Sequence, residues 1–123
     1  MTTNTTLKQP EERTQETCLR SVRAVKDALE VLHGRWKLPI ILSVSFGTKR
    51  FGQISKELNG ITDKVLSKEL KNLEANQLIK RTVIDAFPPM VEYSITEHGK
   101  TLGKVIDELG YWGAAHRKKI LGR

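Results

Sequence analysis

The sequence predicts a mainly α-helical fold carrying one small β-hairpin, and three observations carry that expectation. Apolar residues recur at steps of three and four over long stretches, the period of a helix. A short turn, "NGIT" (59–62), joins two such stretches. Two runs rich in β-branched and aromatic residues, "LIKRTVI" (78–84) and "VEYSI" (91–95), flank a tip with two prolines that cannot join a ladder.

Each element follows from its residues. In the stretch from Glu12 to Leu32, residues Cys18, Val22, Val25, Leu29 and Leu32 form one helical stripe, which Gly34 interrupts. The segment from Trp36 to Phe46 is dense in large apolar residues and reads as a buried helix, with Pro39 tolerable near its first turn and Gly47 at its end. Phe51, Ile54 and Leu58 sit at helical spacing on a short, one-sided helix. After the Asn59–Gly60 turn, Thr62 can accept a hydrogen bond from the free amides of a helix starting near Asp63, whose charge suits the positive end of the helix dipole. On that helix Leu66, Leu70 and Leu73 share one side, and Lys64, Ser67, Lys68 and Lys71 cluster on nearly the opposite one. Asn76 is expected to adopt the left-handed conformation that ends it. Residues 78–95 then form a two-stranded hairpin. Thr96 is expected to cap a final helix on which Leu102, Val105, Ile106, Leu109, Trp112 and His116 keep the same spacing.

Charge points to the partner. The chain has 21 Lys and Arg against 14 Asp and Glu. The surplus is uneven: residues 34–84 carry ten cations and four anions, whereas residues 1–33 are balanced. Such a cationic stretch suits a polyanion. The longest apolar run, "LPIIL" (38–42), is far below the roughly 20 residues a spanning helix needs, and the polar first residues lack a secretory signal. A cytoplasmic protein with no membrane association is expected. A single cysteine excludes an intramolecular disulfide and any multi-cysteine metal site. His33, His98 and His116 have no partners at metal spacing, and neither a nucleophile elbow nor a glycine-rich phosphate loop is present. No enzymatic role and no cofactor is expected. The histidines read as capping or surface residues.

Two helices joined by a short turn and followed by a hairpin match a helix-turn-helix with an appended wing. In that plan the second helix enters the major groove and needs a basic, hydroxyl-bearing outer face. Lys64, Ser67, Lys68 and Lys71 supply it. The bland reading is a solvated face of an amphipathic helix. The competing function is a non-enzymatic interaction module whose basic face binds an acidic protein or an anionic surface.

The segments "GRWKLPIIL" (34–42), "KRFGQISKELNGITDKVLSKELKNLE" (49–74) and "FPPMVEYSITEHGKTL" (87–102), preceded by Cys18, resemble the HxlR-type winged-helix regulators, relatives of the MarR group. The resemblance covers roughly residues 16–113. It implies a homodimeric bacterial transcriptional regulator on an imperfectly palindromic operator, with a recognition helix at about 62–76 and a wing at about 78–95 on the flanking backbone or minor groove. Carried over by position, Thr62, Lys64, Ser67, Lys68 and Lys71 lie on the recognition helix, Arg50 begins the preceding helix, and Lys80 and Arg81 sit on the wing's first strand. Three positions depart from the pattern: Met90 stands where relatives carry a cation, Pro39 where they carry a plain helix former, and Gln77 where glycine is frequent. The implied organisation is a flexible segment 1–14, a DNA-binding and dimerisation domain 15–119, and a basic tail 120–123.

The first and last helices carry more large apolar residues than a small core with a wing can cover. Cys18, Val22, Val25, Leu29, Leu109 and Trp112 would then meet a second subunit; the alternative is that both helices fold back on their own core. Cys18 itself carries two readings: a small apolar side chain of the stripe, or a redox sensor. An effector, if there is one, is not legible.

Overall fold

The computed structural model describes residues 14–123; the segment expected to be flexible lies, up to residue 13, outside the described residues. The chain forms two compact units, one ending at His33 and the other spanning Gly34–Arg123.

The first unit is helix α1, Gln15–Leu32. It carries the expected stripe from Cys18 to Leu32, and Thr14 caps its start. The Thr14 hydroxyl accepts from the Thr17 backbone amide at 3.1 Å, and the Thr17 hydroxyl accepts from the Thr14 amide at 2.8 Å, so two orphan donors are satisfied reciprocally. His33, with extended backbone, closes the helix, and Gly34 follows at φ +95°. None of its residues is buried.

The second unit runs α2 (Lys37–Ser45), β1 (Lys49–Arg50), α3 (Phe51–Glu57), α4 (Asp63–Ala75), β2 (Ile79–Ile84), β3 (Met90–Ile95), α5 (Glu97–Lys100) and α6 (Gly103–Leu121). Its core is built where three helices meet the sheet: Ile40, Ile41 and Val44 of α2, Ile54 of α3, Leu66, Leu70 and Leu73 of α4, and Leu78, Ile79 and Tyr93 of the wing are all buried. Pro39 is the third residue of α2, within the first turn, where its missing amide has no intrahelical acceptor to lose. Gly60, at φ +102°, supplies the left-handed turn between α3 and α4.

Three expectations change. The hairpin forms between β2 and β3 as expected, but it does not stand alone: Lys49 pairs with Tyr93 and Arg50 with Glu92, so β3 is the centre of an antiparallel sheet of order β1-β3-β2. Nor does Thr96 cap the last long helix. Its hydroxyl accepts from the Gly99 amide at 2.9 Å and so starts only the short α5, after which the chain turns and α6 begins at Gly103. His98 therefore lies inside α5, exposed, and α6 continues through Ile120 and Leu121 of the expected tail.

The third change is at the end of α4, where Gln77 and not Asn76 takes the left-handed conformation (φ +62°). The Leu78 amide reaches the Leu73 carbonyl at 3.0 Å and the Gln77 amide reaches the Glu74 carbonyl at 2.9 Å. That is the Schellman pattern, with Leu73 and Leu78 both buried as its apolar contact. Burying that pair outweighs the cost of a side chain in the left-handed region, about 1–2 kcal/mol. Asn76 remains as the C-cap, its side-chain amide donating to the Asn72 carbonyl at 3.0 Å.

Candidate nucleic-acid interface

Helix α4 is fixed at its start, along its inner face and at its end. The Thr62 hydroxyl accepts from the Val65 amide at 3.1 Å, as the sequence predicts, and its own proton stays available to an acceptor. Leu66 and Leu73 are fully buried and Leu70 nearly so. Beside them, Glu69 turns toward α2 and meets the Lys37 ammonium at 2.6 Å, with only 4% of the lysine side chain exposed. The one carboxylate in the middle of α4 is thereby drawn away from the outer face.

That outer face carries Lys64, Lys68 and Lys71, all exposed, and the half-buried Ser67. With Asn72 they line one shallow, open concavity. Among the described residues no carboxylate forms an ion pair with any of the three lysines. The predicted cluster is thus assembled, and its charge is not neutralised from within. Asn72 was missed, although it follows Lys64 and Lys68 at steps of four.

Arg50 is exposed and is the N-cap of α3; its amide donates to the Gln53 side-chain carbonyl at 2.8 Å. The strand register separates the two wing cations. Arg50, Glu92 and Thr82 form one row across the sheet, and Lys80, opposite Ser94, shares their face. Arg81 lies opposite Tyr93, in a row with Lys49, and points to the other face. Lys80 and Arg81 are both exposed but cannot meet the same ligand surface. Beyond Met90, opposite Ile84, the tip carries a fully exposed Phe87.

A second polar cluster holds the frame. Glu57, the last residue of α3, accepts from the Lys49 ammonium of β1 at 2.6 Å and from the Ser43 hydroxyl of α2 at 2.6 Å. The Lys49 hydrogen bond first, and the Ser43 one second, hold its carboxyl below the usual glutamate range.

The residues expected at a subunit interface are exposed in the single chain. Val22, Val25 and Leu29 on α1 and Leu109 and Trp112 on α6 are each at least half exposed, and the free Cys18 is exposed too. Trp112 stacks on His116 at 4.8 Å between ring centroids. Among the described residues no helix is long and apolar enough to cross a membrane.

Comparison with known proteins agrees with this geometry. The family described as HxlR-like helix-turn-helix matches residues 31–120. The HTH-type transcriptional regulator YtcD of Bacillus subtilis is 37% identical over 99 residues, covering 80% of this chain and 79% of YtcD. Among solved structures, the redox regulator HypR in its reduced form superposes with a TM-score of 0.76 at 33% identity, over 81% of this chain and 99% of HypR. The reduced form of YodB from B. subtilis gives a TM-score of 0.65 at 36% identity, over 71% of this chain and 85% of that one. A winged helix that turns to solvent a lysine face unpaired among the described residues, matched across the whole helix-turn-helix and wing, places the chain in the HxlR-like helix-turn-helix family of transcriptional regulators.

Proposed function

We propose that the protein binds double-stranded DNA sequence-specifically as a homodimer on a pseudo-palindromic operator, acting in the cytoplasm by binding and not by catalysis. Helix α4, about 62–76, enters the major groove, and the wing, about 78–95, follows the flanking backbone or minor groove. The observation that carries this reading is the outer face of α4: three lysines around Ser67 without carboxylate partners among the described residues, on a helix whose other side is locked into the core. Lysines there neutralise phosphates or reach guanine acceptors, and the hydroxyls of Thr62 and Ser67 bond to phosphate or base edges. Arg50 and Lys80, on one face of the sheet, serve the same strand of phosphates, and Arg81 serves another surface. The dimer reading rests on the exposed stripes of α1 and α6, which two subunits would bury; recognition helices about 34 Å apart then match one turn of DNA.

Selection of bound fragments from random duplex by the purified protein tests this, with a twofold-symmetric consensus expected. The Lys68→Ala variant should flatten the dependence of log affinity on log salt by about one phosphate contact per lost cation. Ser67→Ala should shift base preference. Failure to retain any duplex over random competitor would sink the reading in favour of an acidic-protein or anionic-surface partner.

For Cys18, exposure in the single chain supports the sensor reading, as does the similarity to HypR, itself a redox regulator. A dimer through the α1 stripe would cover the thiol, which supports the inert one. Diamide treatment of the wild type and of Cys18→Ser decides between them: operator affinity that changes only in the wild type identifies a sensor.

A further inference from the structure

Arg35 and Trp36 precede α2 and have no role in the interface described so far. Their placement gives them one. The Arg35 guanidinium lies 4.8 Å from the centroid of the Trp36 ring, within the range of a cation–π contact. The Trp36 ring lies beside the turn between α3 and α4: its Cη2 atom is 4.0 Å from the place that a Cβ on Gly60 would take. The next residue, Lys37, is buried and joined to Glu69 of α4 at 2.6 Å. Trp36 therefore lies beside the approach turn of the recognition helix, and Lys37 moors the start of α2 along its side. Arg35 is carried on that mooring. It is exposed, and among the described residues no carboxylate pairs with it.

We infer that Arg35 is a phosphate-binding residue, held by the Trp36 ring beside the turn that leads into α4, and that Trp36 is its positioning residue. The ligand is the DNA backbone at the edge of the groove that α4 enters, so the inference rests on the DNA-binding reading above. In a helix-turn-helix the first residues of the recognition helix face the base edges. A group packed beside the preceding turn then faces the phosphates that border the groove. A guanidinium held over an aromatic ring suits that task. Without a carboxylate partner among the described residues, its N–H donors are free for phosphate oxygens. The ring contact also restricts a long side chain before binding, so less rotamer entropy is lost on contact. The result is a cationic footprint extending from Lys64, Lys68 and Lys71 across the turn to α2.

The test uses the full chain with the selected duplex and a random duplex, titrated over roughly 50 to 200 mM salt. Arg35→Ala should weaken binding roughly three- to tenfold on both duplexes alike and flatten the log–log salt slope by about 0.9 per subunit. Arg35→Lys should restore the slope but not the full affinity, because an ammonium keeps the charge and loses the planar fork. Lys68→Ala is measured beside them. A normal slope for Arg35→Ala with a flattened one for Lys68→Ala overturns this inference and leaves the DNA-binding reading standing. Affinity lost with the slope intact overturns it as well, because that is the mark of a disturbed fold. If Lys68→Ala also keeps the normal slope, or no duplex is retained, the DNA-binding reading fails with it.

Discussion

Lys37 and Lys68 lie on opposite sides of one helix's surroundings, and the same side chain serves opposite ends there. Lys37 is almost wholly buried against α4, with its charge matched by Glu69. Lys68 stands in solvent with no carboxylate partner among the described residues. A buried ammonium without its partner is costly, whereas an exposed one costs little and keeps its charge for a ligand. Lys49 falls between them, partly covered and shared with Glu57. A net charge is therefore a poor measure of a binding surface: what matters is which cations the fold has already neutralised.

That contrast can be broken in graded ways. Leu66→Ala, on the inner face of α4, should cost about 3–4 kcal/mol in denaturant unfolding, since the side chain is fully buried. Its neighbour Ser67→Ala should change stability by less than about 0.5 kcal/mol. Lys37→Ala should cost about 3 kcal/mol by stranding Glu69, while Lys68→Ala leaves the unfolding midpoint near its wild-type value. Equal losses for the two lysines would refute the division. Gln77→Gly should stabilise by about 1 kcal/mol, relieving the left-handed side chain, and raise the melting temperature by roughly 4 °C or more. The smallest effect concerns Glu57. Its carboxyl titrates below the unfolded value, so its contribution is fully present above about pH 4.3 and is lost as pH falls through the lower folded value. Glu57→Gln should therefore narrow the difference in unfolding midpoint between roughly pH 6 and roughly pH 3.

Much of the site was legible because its signals are local. Thr62, Asp63 and the three-and-four spacing of Leu66, Leu70 and Leu73 define α4 without reference to the rest of the chain, and the lysine face follows from the same period. What escaped depends on distant partners. Strand β1 is two residues long, too short to show a period, and exists through pairing with Tyr93 and Glu92 some forty positions away. Asn76 is the better local candidate for the left-handed turn, but burial of Leu73 with Leu78 moves it to Gln77. The apolar spacing from Leu102 onward is real, yet it cannot tell that Thr96 caps a separate single turn. Lys37 counted toward the cationic stretch until its pairing with Glu69 removed it.

Arg50 belongs to two elements at once, being both the last residue of β1 and the cap of α3. The two β1 residues are rungs on β3, so the wing's middle strand grips the hinge end of the helix-turn-helix. The wing is thus tied to the helix-turn-helix by hydrogen-bonded rungs as well as by the chain itself, and one residue anchors the sheet edge and the start of α3 together.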